Sequence, residues 1–324
     1  MIWFSPSAAI ADPIETHGLG LPLACAIGET CWVANYVDVD PSGAARDFQC
    51  RRRTYDTHDG MDFAIRDLGV MAQGVPVIAS ASGVVKQVRD GMEDVGISDE
   101  ASKVRVAGRE CGNGVVIGHD GGWETQYCHM RKGSIQIKAG DRVEAGNPIG
   151  LVGLSGKTEF PHVHLTVRRN GEAMDPFTGQ PMKAGCGISG KPLWRMDKPV
   201  LYEEVALYNV GFSTAKPNID TIRSGTREDG PLPATAPSLI LWVDIFGVEV
   251  GDRINLRVIG PIGRPVVEHE DRVKQTQARR FVFAGTKRMT SAWPAGDYRG
   301  EITLTRKVDG QDMKRSITRT MTIR

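Results

Sequence analysis

Over most of this chain apolar and polar residues alternate with a period of two, the spacing of a half-buried strand. Between 63 and 180 the alternating runs are short and are separated by turns containing glycine. VPVIASASGVVKQV (75–88) reads as two strands broken at Ser82-Gly83. GVVIGHDGGWETQYCHM (114–130) reads as a hairpin, with Val115–His119, a turn at Asp120-Gly121-Gly122, and Trp123–Met130. SIQIKAGDRVEAGNPIGLVG (134–153) holds further short strands with turns at Ala139-Gly140 and Ala145-Gly146. No amphipathic helical period of 3.6 stands out in this region. After a break near 190–200, around SGKPLWRMDKPV, alternation resumes in LILWVDIFGVEVGDRINLRVIGP, RRFVFAG and GDYRGEITLTRKVDGQDMKRSITRTMTI. Strand-length runs at regular spacing there predict an Ig-like β-sandwich. The expectation is an all-β chain divided into an amino-terminal tail (1–24), a first β domain (25–196) and a sandwich (197–324).

The candidate chemistry lies in the first domain. In FPHVHLTVRR (160–169), His162, His164, Thr166 and Arg168 share one strand face, while Val163, Leu165 and Val167 share the other. Both imidazoles therefore project into the same space. Alone, such a pair is as well explained by surface histidines on a half-buried strand. In YDTHDGMDFAI (55–65), His58 and Asp62 are four apart with Gly60 between them, and the apolar FAI follows. Imidazole and carboxylate are both zinc ligands; the plain alternative is a turn with a capping Asp. In WETQYCHM (123–130), alternation puts His129 on the face that carries Tyr127. Two histidines and one carboxylate with an open fourth position form the ligand set of a catalytic zinc hydrolase, whose bound water the metal acidifies. Two histidines remain for proton transfer and oxyanion stabilisation.

Composition narrows the partners. The chain has 324 residues, 40% hydrophobic and 24% charged, with a net charge of +1. So small a balance gives no field to hold nucleic acid or an anionic membrane. No apolar run approaches the ~20 residues of a membrane span. The opening MIWFSPSAAIADP lacks a positive region, yet Ala9-Ile10-Ala11 before Asp12 resembles a cleavage site, so the tail reads as a possible signal-peptide remnant or as a disordered start that includes His17. Six cysteines, an even number with no C-x-x-C pair, favour three disulfides over a zinc cluster. Cys111 and Cys128 flank the predicted hairpin and are placed to bridge its arms. Cys25, Cys31, Cys50 and Cys186 allow three pairings.

Taken in order, H58-D-G-M-D62, Y127-C-H129-M and H162-V-H164 resemble the motifs of the lysostaphin-type (LytM-like) zinc metallopeptidases, which cut peptidoglycan peptides. The intervening VKQV, GNGVVIGH, IKAGDRVEAGNPIGLVG and NGEAMDPF match in order as well. The resemblance covers about residues 55–180 and does not reach the sandwich. It implies a LytM-like antiparallel β-sheet domain and one Zn2+ per chain, held by His58, Asp62 and His164. It also implies His162 as the general base that activates a zinc-bound water, and His129 as the group that steadies the oxyanion. Asn113 and Tyr127 would line the groove. Asp59 after the first ligand, Met61 before the second and Met130 in place of leucine depart from the pattern without removing a ligand.

The implied activity is hydrolysis of peptide bonds in peptidoglycan stem peptides or cross-links, with a D-Ala–diaminopimelate bond preferred, in a periplasmic or secreted protein of unknown oligomeric state. The rival from the same family is an inactive activator or wall-binding module; the five functional positions are intact. A lipoyl-like carrier, suggested by IKAGDRVEAGNPIG, lacks the lysine at a hairpin tip. GLVGLSGKT (150–158) misses the phosphate-binding loop pattern, because position 151 is Leu, and reads as a flexible loop beside the groove. DVDPSG (38–43) begins like a calcium loop but has Gln49 at the twelfth position, so a turn is expected. His119 reads as a surface residue beside a turn, and His269 as part of a solvated loop.

Overall fold

A computed structural model describes residues 13–324. The cleavage-like Ala9-Ile10-Ala11 lies outside the described residues. In the first half the strands are β1 (Cys31–Asn35), β2 (Met61–Ile65), β3 (Pro76–Ile78), β4 (Gly83–Arg89) and β5 (Asn113–Gly118). They continue with β6 (Trp123–Met130), β7 (Arg142–Val143), β8 (Pro148–Leu151), β9 (His162–Arg169) and β10 (Glu172–Met174). One antiparallel sheet runs in the order β1-β2-β9-β6-β5-β4-β7, with β10 beside β9, and β3 pairs with β8 separately. The alternation read from the sequence accounts for the core. Val163, Leu165 and Val167 of β9 are buried with Phe63, Val115, Ile117, Val152 and Trp194 in one apolar cluster.

The second half folds as β11 (Ala206–Ser213), β12 (Ser238–Val248), β13 (Arg253–Ile259), β14 (Pro265–Arg272), β15 (Gln277–Lys287), β16 (Gly296–Val308) and β17 (Gln311–Ile323). The sheets β11-β12-β15 and β14-β13-β16-β17 enclose a second core that includes Leu241, Val243, Ile254, Leu256, Ile302 and Leu304. Every pairing is antiparallel. A third, smaller cluster joins the halves: Trp32, Ala34 and Ala64 pack on Ala206, Tyr208 and Phe246. The buried Arg53 side chain donates to the Val33 carbonyl and occupies the place where a Cβ on Gly247 would sit.

Several expectations are corrected. Residues 14–24 are not a loose tail. Ile14, Leu19 and Leu23 are buried in the first core, and Pro13–His17 forms a short helix, α1, with His17 exposed. Apolar side chains within that stretch found cover against Trp194 and Val77. Val200 and Tyr202 also pack with the first core, so the change of core comes after Tyr202 rather than at 196. Two short helices were not anticipated. They are α2 (Leu68–Gln73), capped by Asp67, and α3 (Glu100–Val106), opened by a capping box of Asp99 and Ser102. A fourth, α4 (Ile219–Arg223), is capped by Asn218. Each is too short to show a hydrophobic period. His269 stands on β14 rather than in a loop, though it is exposed. His119 is half-buried, with Nδ1 2.7 Å from the Ser82 carbonyl and Nε2 2.9 Å from Thr125 Oγ1.

Candidate active site

Strand register assembles the site. Asn35 on β1 stands opposite Asp62 on β2, Asp62 opposite His164 on β9, and His164 opposite Cys128 on β6. One row across four strands thus carries a carboxylate and an imidazole side by side. His162, two residues earlier on β9, faces the same way. His58 arrives from the turn before β2. Gly60 lets that turn pass close over β9, because a Cβ there would lie 2.6 Å from both His164 Nε2 and the Leu165 carbonyl.

His58 Nε2, Asp62 Oδ1 and His164 Nδ1 converge, at 3.1 Å (His58–Asp62), 3.1 Å (His58–His164) and 2.9 Å (His164–Asp62). His162 Nε2 is 3.2 Å from the same Asp62 oxygen. All four residues are buried. The other imidazole nitrogens fix the tautomers, because each meets a group that only accepts. His58 Nδ1 donates to the Tyr36 carbonyl at 2.7 Å, His162 Nδ1 to the Phe160 carbonyl at 2.9 Å, and His129 Nδ1 to the Ser155 carbonyl at 2.8 Å. His164 Nε2 donates to Asp59 Oδ1 at 3.1 Å, and Arg168 holds the second Asp59 oxygen at 2.9 Å. Asn35 Nδ2 holds the second Asp62 oxygen at 2.8 Å. Such outer partners orient metal-binding histidines and carboxylates.

The electrostatics follow from burial and these pairs. Burial works against the Asp62 charge, but His58, His162 and His164 outweigh it and hold the carboxyl well below its usual range. Burial also disfavours a charged His164, yet Asp59 and Asp62 raise it to about 9. Asp59 is lowered to about 2: His164 and Arg168 overcome its own desolvation. His129 goes the other way. Burial, with His162 and His164 nearby, keeps it well below the ordinary histidine value, so it is neutral at pH 7.

Where the sequence put His129 and Tyr127 on one face, the structure separates them. His129 has φ +61°, a left-handed conformation uncommon outside glycine. That reversal breaks the alternation of β6. Gln126, Cys128 and His129 line the groove, while Tyr127 is in the core with its hydroxyl accepting from the Ser80 amide at 2.7 Å. The His129 amide donates to the Cys111 carbonyl at 2.8 Å, and Cys111 is bonded to Cys128. The other disulfides are Cys25–Cys31 and Cys50–Cys186. Asn113 is also turned inward, bonded to Met92 and to the Met130 carbonyl, so neither Asn113 nor Tyr127 lines the groove.

The groove has a volume of about 300 Å³. Its walls carry charges of both signs: Asp59 and Glu110, Lys157 and Arg168. The loop at 150–158, expected to be flexible, instead packs Ser155 and Gly156 tightly against Gly112. DVDPSG is a turn in which Asp38 and Asp40 accept local backbone amides. Sequence reasoning missed Asn35, Asp59, Ser155 and Arg168. Only Asp59, next to the first motif histidine, and Arg168, on the strand face of His162 and His164, carried a readable signal.

Residues 56–176 match the family model described as Peptidase family M23. The DD-carboxypeptidase/endopeptidase Mpg of Neisseria meningitidis is 35% identical over 125 residues, covering 39% of this chain and 23% of the relative. The peptidoglycan DD-endopeptidase ShyA of Vibrio cholerae is 35% identical over 107 residues, covering 33% of this chain and 19% of the relative. The chain thus spans under a quarter of these relatives' length. Among solved structures, the catalytic domain of the prophage-encoded M23 protein EnpA from Enterococcus faecalis is 29% identical, covering 38% of this chain and 78% of that one, with a TM-score of 0.29.

Proposed function

We propose that this chain, whose residues 56–176 are a Peptidase M23 domain, is a zinc-dependent endopeptidase that hydrolyses peptide bonds in peptidoglycan stem peptides or cross-links. One observation carries the reading: His58 Nε2, Asp62 Oδ1 and His164 Nδ1 turn toward one point at the floor of a groove. The donor set fits zinc, since two imidazole nitrogens and a carboxylate oxygen converge while every second atom is already held by the protein, and zinc displaces the proton that His164 Nδ1 otherwise carries. Zinc bound there supplies a Lewis acid that polarises a carbonyl and acidifies water.

The chain's own residues supply the rest. His162 places Nε2 3.2 Å from Asp62 Oδ1, beside the ligand set, where it can take the proton of an attacking water and pass it to the leaving amine. His129, neutral and with Nδ1 tied to Ser155, presents Nε2 beside it. The rings are 4.7 Å apart; with its N–H spent on Ser155, His129 offers a lone pair at Nε2 and can steady the developing oxyanion only once it has itself accepted a proton from the attacking water. One relative named as a peptidoglycan DD-endopeptidase and another named as a DD-carboxypeptidase/endopeptidase support the substrate class. Three disulfides, with no free cysteine, suit an oxidising compartment outside the cytoplasm. Among the described residues no helix is long and apolar enough to cross a membrane.

The test pairs two variants with purified muropeptides, read by mass spectrometry and by elemental zinc. His164→Ala is expected to lose zinc and activity. His162→Ala is expected to keep one zinc and lose activity by about 10²–10⁴-fold. Zinc retained in His164→Ala but lost in His162→Ala would reverse the two roles. A zinc-loaded wild type that cleaves no muropeptide would replace the enzyme with a binding module.

A further inference from the structure

We propose that the carboxyl-terminal sandwich is a working part of the active site: it clamps Phe160, and through the Phe160 carbonyl it fixes the tautomer and aim of His162. The proposal rests on the reading of His162 as the proton acceptor. Phe160 lies two residues before His162 on the segment that leads into β9. Its ring is 4.7 Å from the His162 ring and 5.3 Å from the Phe246 ring of the sandwich. The Arg279 guanidinium of β15 sits 5.2 Å from the Phe160 ring centre and 5.3 Å from that of Phe246. Arg279 is itself fixed, 3.2 Å from the fully buried Asp244, which Arg223 also grips at 2.7 and 3.0 Å. Tyr208 stacks on Phe246 at 4.1 Å and meets Trp32 of β1 at 5.8 Å. The same cluster includes Ala64, which stands opposite His162 in the sheet.

The consequence is chemical as well as mechanical. The Phe160 carbonyl accepts from His162 Nδ1 at 2.9 Å and from Thr158 Oγ1 at 2.8 Å. While it stays in place, Nδ1 is the nitrogen that donates, and Nε2 is turned toward Asp62 Oδ1 at 3.2 Å. If Phe160 drifts, the proton can move to Nε2, and an imidazole protonated there cannot take another from water. The sandwich residues Phe246 and Arg279 touch no reacting atom; they are positioning residues. A hollow of about 740 Å³ between Leu68, Glu159, Phe160 and β15 gives Phe160 room to move once its clamp is loosened.

The experiment uses the full chain with Arg279→Met and Phe246→Leu. Each is expected to keep one zinc, to leave KM within about twofold and to lower kcat on the order of 10-fold, the scale of a small misplacement of a catalytic group. Imidazole nitrogen NMR of zinc-loaded protein, with His162 assigned by loss of its signals in His162→Gln, should show a single Nδ1–H tautomer in the wild type and a mixture in both variants. Variants that melt earlier yet keep kcat and the single tautomer at a temperature well below melting would overturn the proposal, leaving the sandwich as mere packing. Should Phe246→Leu not fold, Arg279→Met, at the rim, decides alone. A wild type without hydrolytic activity would sink the proposed function, whereas the nitrogen spectra would still decide this inference.

Discussion

Replacing Asp59 by Asn should weaken zinc binding in a way that depends on pH. Asp59 receives Nε2–H of His164 at 3.1 Å and is braced by Arg168 at 2.9 Å. A carboxylate behind a metal-binding histidine makes the imidazole a better donor, and losing it costs about 10–100-fold in affinity, or about 1.4–2.7 kcal/mol. Thr166 Oγ1 also lies 3.0 Å from His164 Nε2 and can accept in its place, so the lower end is expected. The proton complicates the measurement. Asp59 helps raise His164 to about 9, so at pH 7 a proton occupies the imidazole and competes with zinc. Asp59→Asn weakens the hold on that proton too. At pH 6–7 the two losses offset and the variant's Kd should approach that of the wild type. Near pH 9 the wild-type proton is leaving and the full roughly 10-fold deficit should appear. Competition with a chromophoric chelator in buffered zinc, repeated from pH 6 to 9, gives both curves. A Kd ratio near 1 at every pH would refute the role given to Asp59, and a ratio that shrinks with rising pH would refute the proton competition.

Gly60→Ala should lower zinc uptake to that of His164→Ala, because the added methyl would meet His164 Nε2 at 2.6 Å; normal zinc content would show that the turn before β2 can shift. Removing Cys50–Cys186, with a sequence separation of 136, should cost about 5 kcal/mol in urea unfolding, against about 3 kcal/mol for Cys111–Cys128, with a separation of 17. Only the second loss should also lower kcat, since Cys111 receives the His129 amide; equal kinetic effects would refute that link. Asp175 is raised to about 6 by burial despite its bonds to Thr178 and Phe177. Its folded value exceeds the unfolded 3.8, so between these values the native state binds more protons and stability falls as pH rises, by about 3 kcal/mol in all. Asp175→Asn should flatten that slope between pH 4 and 6; an unchanged slope would assign it to another group.

The fold was legible where period and burial agree. β9 shows why: Val163, Leu165 and Val167 went to the core and His162 and His164 to the site, as strict alternation requires. The hairpin of β5 and β6 was readable from its Asp-Gly-Gly turn, and the paired sheets of the sandwich from evenly spaced runs. What failed was short or bent. α2 and α3 span 6 and 7 residues, less than two turns, so capping residues such as Asp67 and Asp99 were the only available signal. Tyr127 was misassigned because alternation was carried past a residue with φ +61°, where it reverses. A positive φ at histidine has no pattern in the sequence; it is imposed here by the Cys111 carbonyl and the disulfide beside it.

The site shows the same division one level up. Residue types at fixed spacing were enough to gather His58, Asp62, His129, His162 and His164, since motif and register are local properties of neighbouring strands. The groups that aim them come from far along the chain. Tyr36 and Asn35 are 22 and 27 residues from the side chains they hold, Ser155 is 26 from His129, and Phe246 and Arg279 lie beyond the last ligand altogether. Two of these partners act through backbone carbonyls, which every residue possesses, so no choice of side chain marks them in the sequence. The dependence of His162 on the sandwich is the extreme case. Every candidate ligand precedes residue 165, which suggested a metal site indifferent to the second domain. Yet the Phe160 ring stands 4.7 Å from that of His162 and 5.3 Å from that of Phe246 in the second domain, and so touches both. A truncated chain that lacks the sandwich would keep the ligand atoms and lose the clamp, so zinc content and turnover are expected to part company there.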